Sequence, residues 1–176
     1  MTHGPKPLLP IALGLADGIL NALTLASASL VGGAVNLTVS LAVRISIAAL
    51  VTAGFSVFVG AYAEARGGLR RASQQLSLPA DHALADTALG RRAVIDAGSQ
   101  AALASISSML GALIPLLIAL VLPGPGWIAA VIAVAALGAL GVGLAQTVTG
   151  KPWIWGLALS AGGVAVTMIG LWIKIT

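Results

Sequence analysis

One acidic residue lies deep inside the first long apolar stretch of the chain. Asp17 occupies the stretch GLADGILN, residues 14–21, within an apolar segment from Pro7 to Val31. A carboxylate in the hydrocarbon core of a membrane is costly, and it is kept where it faces a bundle interior or an aqueous path. Its chemistry in such a place is to hold or pass on a cation or a proton. The alternative is a protonated structural aspartate that is hydrogen-bonded to a neighbouring helix.

Two further polar residues follow Asp17 at helical spacing. Asn21 lies one turn beyond Asp17, and Thr24 lies about one turn beyond Asn21, so the three share a stripe of oxygen ligands. Asp17 falls about 14 Å into the helix at the usual rise per residue. This depth is close to the middle of a hydrocarbon core of about 30 Å.

The second apolar segment ends in residues that belong near a membrane surface. Tyr62 and Glu64 are expected at the cytoplasmic mouth of the bundle. Glu64 either gathers cations there or pairs with one of three arginines, Arg66, Arg70 or Arg71. Arg44, near the opposite end of the same segment, is expected to extend to the headgroups.

The third apolar segment carries serines and one methionine. Ser105, Ser107 and Ser108 are expected to bond to backbone carbonyls or across helices, as serines in membrane helices do. Met109 is either a soft ligand for a transition metal or an apolar filler.

The composition indicates a protein dissolved in lipid. Apolar residues make up 59% of the 176 residues and charged residues 8%, against about 25% charged residues in soluble domains. The chain has no cysteine, which excludes disulfides, thiolate metal sites and thiol catalysis. Neither H-E-x-x-H nor G-x-S-x-G occurs, and no phosphate-binding glycine loop with lysine is found, so we expect no enzyme.

We predict an all-α membrane protein with five transmembrane helices in one domain, residues 1–176. The predicted spans are about 8–31, 43–65, 100–122, 127–144 and 152–174, with a polar segment at 66–92. In that polar segment Asp81 is expected to cap a short amphipathic helix that runs to Arg92. A metal site at Asp81, His82 and Asp86 is the alternative. The glycines of the spans are expected to let helix backbones approach closely.

Basic residues near the span ends predict the orientation. With the amino terminus in the cytoplasm, the inner side carries the larger basic set and the outer side only Arg44 and Lys174. The inner set is Lys6, Arg66, Arg70, Arg71, Arg91, Arg92 and Lys151. Trp127 and Trp172 then fall at the outer interface, and Trp153 and Trp155 at the inner one. The positive-inside rule therefore predicts a cytoplasmic amino terminus.

Four stretches of the chain resemble, in order, the vacuolar iron transporter family, which includes the yeast vacuolar iron and manganese importer and plant nodulin-like proteins. The stretch from Gly14 to Gly18 is similar to the family's G-x-x-D-G motif, and the stretch GFSVFVGAY, residues 54–62, is similar to its second-span pattern. Residues 101–116 and 160–170 are similar to its third and fifth spans. Val57 stands where the family has a pathway methionine, and Ala61 where it often has an acid.

The resemblance implies a dimer that exchanges divalent metal, chiefly iron or manganese, for protons along a pathway between protomers. Asp17 is the implied metal ligand, and no permanently bound cofactor is expected. The long cytoplasmic metal-collecting domain of the family is reduced here to residues 66–92, as in the nodulin-like branch. The predicted pathway residues are Asp17, Asn21, Thr24, Ser56, Tyr62, Glu64 and Met109.

In such a dimer, the Asp17 carboxylates of the two protomers would face a shared axis. Ionising both would cost free energy through their mutual repulsion, so at least one proton is expected to remain until a divalent cation displaces it.

The sequence leaves two alternatives open. The chain is a membrane scaffold that does not transport, or it carries another cation or small solute by means of Asp17. We expect a multi-pass protein of a bacterial plasma membrane, in contact with the lipid bilayer, and no binding of nucleic acid.

Overall fold

The computed structural model describes residues 8–32, 38–75, 87–121, 127–145 and 150–173. Each of these ranges is dominated by one helix. The helices are α1 (Leu8–Gly32), α2 (Val39–Gln75), α3 (Ala88–Val121), α4 (Trp127–Ala145) and α5 (Pro152–Ile173). Within the described residues, five helices are long and apolar enough to cross a membrane. The prediction of an all-helical chain with five such helices is confirmed.

Helices α2 and α3 are much longer than the predicted spans. The 37 residues of α2 extend about 55 Å, well beyond a hydrocarbon core of about 30 Å. The prediction of a short amphipathic helix that ends at Arg92 is wrong, because α3 runs without a break from Ala88 to Val121. The predicted cap and alternative metal ligands at Asp81, His82 and Asp86 lie outside the described residues, as do Lys6 and Lys174.

Helix α3 forms the spine of one half of the bundle. It packs extensively against both α2 and α1, whereas α1 and α2 have only a small contact with each other. Helices α4 and α5 form a second pair, which joins the first mainly through α1. In this junction Ile19, Leu23 and Ala26 of α1 pack in one buried cluster with Ala133 and Leu137 of α4. The position of α1 therefore determines how both pairs of helices fit together.

The backbones of α1 and α3 almost touch where they cross. A β-carbon on Gly14 would overlap the Ala104 carbonyl, and one on Gly18 would overlap the Ser108 carbonyl. From the other side, a β-carbon on Gly111 would lie 2.6 Å from the Leu15 carbonyl oxygen. These contacts advance together along both helices, so α1 and α3 run in the same direction. The predicted role of the span glycines in close backbone packing is confirmed for Gly111 and, between α4 and α5, for Gly141. It is wrong for Gly60, Gly143 and Gly162, where a β-carbon would meet nothing within 4 Å among the described residues.

The other helix pairs also pack through small residues. The face of α2 toward α3 is a buried row of Ala42, Ser46, Ala49 and Ala53. Helix α2 runs antiparallel to α3, since Ala49 meets Ser108 and Gly54 meets Ser105.

Charge and aromatic residues are distributed unequally between the two ends of the bundle. The described basic residues at one end, which we call the basic end, are Arg66, Arg70, Arg71, Arg91, Arg92 and Lys151. Arg44 lies toward the opposite end, here called the far end. Exposed Trp153 is at the basic end, and exposed Trp127 and Trp172 are at the far end. This distribution follows the predicted grouping, while the side of the membrane that each end faces remains a prediction.

We predict that Gly18→Ala destabilises the protein by about 1–3 kcal/mol, because the added methyl group meets backbone atoms that cannot rotate away. The matched control is Gly143→Ala on α4, where a β-carbon would meet nothing within 4 Å. Chemical unfolding in detergent micelles measures both changes. Equal stability of the two variants would contradict the close crossing of α1 and α3.

Candidate functional site

A groove runs along the side of the bundle between α1 and α2. It exists because both helices pack against α3 rather than against each other. Two cavities lie in the groove, one of about 420 Å³ toward the basic end and one of about 390 Å³ toward the far end. We call them the basic-end cavity and the far-end cavity. The polar residues of the first are Asp17, Ser56, Glu64 and Gln100, and those of the second are Asn21, Thr24 and Thr52.

Asp17 lies where the two cavities approach each other. Its side chain is half-buried and lines the basic-end cavity. The Ser108 hydroxyl lies 3.0 Å from Asp17 Oδ2, and Asn21 Nδ2 donates to the same oxygen over a longer 3.4 Å. The carboxyl is thus held by α3 and by the next turn of α1 while one side still faces the cavity.

The glycine after Asp17 explains how Ser108 reaches it. A serine side chain is short, so its hydroxyl bonds across helices only where the backbones are close. Gly18 allows this approach, since any β-carbon there would overlap the Ser108 carbonyl. Ser108 itself is fully buried, and its hydroxyl also lies 3.1 Å from the Ala49 carbonyl oxygen of α2. One hydroxyl therefore connects α3 with both walls of the groove.

The predicted stripe of Asp17, Asn21 and Thr24 is continuous, but it crosses from one cavity to the other. Asn21 and Thr24 line the far-end cavity, whereas Asp17 lines the basic-end cavity. Asn21 turns its amide nitrogen toward Asp17, and the Thr24 hydroxyl donates to the Asn21 backbone carbonyl at 2.8 Å. The stripe is thus arranged as a hydrogen-bonded series along α1 instead of three oxygens around one point.

Ser56 and Glu64 extend the polar lining toward the basic end. Both line the basic-end cavity and are exposed, with Glu64 two turns of α2 beyond Ser56. Arg66 donates to the Tyr62 hydroxyl at 2.9 Å, and Arg71 donates to a backbone carbonyl of its own helix. Neither arginine forms an ion pair with Glu64 in the part of the chain that the structure describes. Arg70 likewise forms no ion pair with Glu64 among the described residues, so Glu64 lines the basic-end cavity without the arginine partner that was the alternative.

Two of the predicted pathway residues are not in the lining of either groove cavity. Tyr62 stacks on Phe58 with ring centroids 5.9 Å apart, and its other contact is with Arg66. Met109 is half-buried on α3 and lines neither cavity. Val57, at the position of the family's methionine, does line the basic-end cavity, where it offers only methyl groups.

Sequence reasoning did not assign two residues of this site to the pathway. Ser108 was expected to bond to a backbone carbonyl or across helices, and its contacts with Ala49 and Asp17 confirm this. Gln100 was treated only as the start of a span. Gln100 lines both the basic-end cavity and a crevice of about 360 Å³ between α2 and α3. The spacing of Gly14 and Gly18 around Asp17 is a pattern that could have indicated a close helix partner, and therefore a residue such as Ser108.

The groove supplies mainly oxygen atoms and only one carboxylate at mid-height. Among the residues that the structure describes, no group of three or more His, Cys, Asp or Glu side chains could hold a metal ion. Asp17 with neutral oxygens can bind a proton or a weakly held cation. A tight divalent site at this height would need a second carboxylate in addition to those that the described residues place in the groove.

We predict that the basic-end cavity contains water. A cysteine at Ser56, which lines the cavity, should react with a membrane-impermeant thiosulfonate, because thiols ionise in water and stay protonated in lipid. Val59→Cys is the matched control, since Val59 is 46% exposed on the same helix but does not line the cavity. The cysteine-free chain makes each label specific. Equal labelling of both positions would contradict a water-filled cavity.

Comparisons with protein-family models, with curated proteins and with solved structures find no match to this chain. The similarity to the vacuolar iron transporter family therefore rests on the four stretches of sequence described above, and membership of the family remains a prediction.

Proposed function

We propose that this protein is a membrane transporter that exchanges a divalent metal ion for protons along the groove between α1 and α2. The observation that carries the proposal is the Asp17 carboxyl, which faces a cavity at mid-height of a five-helix bundle. An ionisable group at this depth is a functional site by default, because its burial in lipid costs several kcal/mol.

The groove has the polar lining that a cation needs on both sides of Asp17. Ser56 and Glu64 lie on the way from the basic end, and Asn21, Thr24 and Thr52 lie on the way to the far end. Glu64 gathers cations at the cavity mouth in this proposal. The groove supplies oxygen atoms, which suit hard divalent ions such as Mn²⁺ better than soft ones. Manganese or iron is the proposed substrate, and Mn²⁺ is the better first probe.

The proposal requires a homodimer. One described chain supplies a single carboxylate at mid-height, too few ligands for a divalent ion. If two copies face each other across their α1–α2 grooves, two Asp17 carboxylates meet at the shared axis and the open side of each groove is closed. Two such carboxylates retain a proton when no metal is present, and an arriving divalent ion displaces it. This displacement is the proposed basis of exchange.

The proposed orientation places the basic end in the cytoplasm. The described basic residues gather there, with Arg44 toward the far end, and positive charge is enriched on the cytoplasmic side of membrane proteins. The proposed location is a bacterial plasma membrane, and expression in a bacterial host is the first test of that location. The alternatives are a scaffold that moves nothing and a carrier of another cation or small solute.

We predict that Asp17→Asn lowers Mn²⁺ uptake into proteoliposomes at least tenfold, because the amide cannot balance the charge of the metal. Assembly of the dimer, measured by chemical cross-linking, should not change. Asp96→Asn is the matched control, since Asp96 is exposed on α3 and lines the neighbouring crevice instead of the groove. It should keep at least half of the wild-type uptake.

The same assay separates the alternatives when it is run with a panel of ions. If the wild-type protein takes up no manganese, no iron and no other divalent ion, the result would favour the scaffold. Uptake of a monovalent cation alone, still abolished by Asp17→Asn, would favour the second alternative. Undiminished Mn²⁺ uptake by the Asp17→Asn variant would contradict the proposed role of Asp17.

A further inference from the structure

One buried hydroxyl joins the three helices that surround the groove. Ser108 on α3 has no exposed surface, and its Oγ lies 3.0 Å from Asp17 Oδ2 on α1 and 3.1 Å from the Ala49 carbonyl oxygen on α2. Both distances are within hydrogen-bond range. Ser108 is therefore the point at which the Asp17 site is linked physically to the opposite wall of the groove.

The Ser108 hydroxyl cannot serve both acceptors at once. A serine hydroxyl carries one proton, so it donates one hydrogen bond at a time. Both the Asp17 carboxylate and the Ala49 carbonyl can accept this hydrogen bond, and a hydrogen bond to a charged oxygen is roughly twice as strong as one to a neutral oxygen. With no cation bound, the Asp17 carboxylate that lacks the retained proton accepts the hydrogen bond from Ser108. With a cation bound, the carboxylate charge is balanced and Ser108 is released to Ala49.

The Ala49 carbonyl has a second donor that makes this exchange inexpensive. The Thr52 hydroxyl lies 3.1 Å from the Ala49 carbonyl oxygen and 3.0 Å from the Ala48 carbonyl oxygen. Thr52 can turn to Ala49 when Ser108 leaves, so no buried acceptor is left without a donor. Thr52 also lines the far-end cavity, beyond Asp17.

We propose that Ser108 is a positioning residue that couples cation occupancy at Asp17 to the attachment of α2 to α3. When a cation is bound at Asp17, Ser108 donates to Ala49 and adds a hydrogen bond between α3 and α2. When the cation leaves, Ser108 turns back to Asp17 and this hydrogen bond is lost. This inference rests on the proposed function, because the coupled ligand is the transported cation.

The small residues of the α2–α3 interface suit such a change. Ala42, Ala49 and Ala53 present short side chains to α3, and the Ser46 hydroxyl donates to a carbonyl of its own helix. Interfaces of this kind have few protruding side chains that would block a small displacement of one helix along the other.

The test separates binding of Mn²⁺ from its translocation in proteoliposomes. The Ser108→Ala variant removes the hydroxyl that lies within hydrogen-bond range of both Asp17 and Ala49, while Asp17 keeps its contact with Asn21. We expect the maximal Mn²⁺ uptake rate to fall at least tenfold and the half-saturating Mn²⁺ concentration to stay within threefold of wild type. Ser107→Ala is the matched control, since Ser107 is buried next to Ser108 on the same helix. It should leave both quantities unchanged.

Two results would overturn the coupling role. The first is wild-type uptake by the Ser108→Ala variant. The second is a raised half-saturating concentration at an unchanged maximal rate, which would make Ser108 a support for Asp17 alone. If the alanine variant does not fold, Ser108→Cys is the second variant, because its S–H group is a weak hydrogen-bond donor. It should give a maximal uptake rate between those of the wild type and a protein without the donor. A wild-type maximal rate would count against the proposal. Absence of Mn²⁺ uptake by the wild-type protein would instead contradict the proposed function itself.

Discussion

The close crossing of α1 and α3 is the constraint on which the rest of the structure depends. In lipid, helices gain little from the hydrophobic effect on association, and contact between backbones takes its place. Gly14, Gly18 and Gly111 permit this contact because none of them has a β-carbon that would collide with the facing backbone. The same contact brings Ser108 within reach of Asp17. Packing and the candidate site therefore share one physical cause.

The groove follows from how α3 is used. Since α3 packs against α1 on one face and α2 on another, these two helices are kept apart and leave the two cavities between them. Asp17 lies on α1 near the boundary of the cavities, and α2 forms the opposite wall. A cation at Asp17 would thus lie between two helices that both pack extensively against α3. The proposed coupling uses the Ser108 hydroxyl, which is within hydrogen-bond range of both of them.

Much of the architecture could be predicted from sequence, because the relevant physics is local. A run of apolar residues long enough to cross a membrane is recognisable without knowledge of its neighbours. The ends of α2 and α3 could not be predicted in this way, since the hydropathy falls at about residue 65 while the helical backbone continues to Gln75. Arginine and glutamine are good helix formers, so polarity marks the membrane surface there and not the end of the helix.

The candidate site was predicted only in part, because it depends on contacts between distant residues. Asp17 could be identified as a candidate because burying a carboxylate in lipid costs free energy. Glu64 and Ser56 could be identified from their place on the second helix. Ser108 lies 91 residues from Asp17 in the chain, and only the crossing angle and depth of α3 bring the two together. Tyr62 was assigned to the pathway from its place near the end of the second span and Met109 from its soft sulfur. The helical rotation turns both away from the lining of the two groove cavities.

Simultaneous recording of Mn²⁺ entry and lumenal pH in proteoliposomes tests the proposed exchange most directly. Wild-type protein in vesicles with an acidic lumen should take up Mn²⁺ while the lumen becomes alkaline faster than it does without Mn²⁺, and Mn²⁺ entry should be slower when the pH gradient is collapsed beforehand. Entry of Mn²⁺ without any movement of protons, or a pH change that is independent of Mn²⁺, would contradict exchange at Asp17.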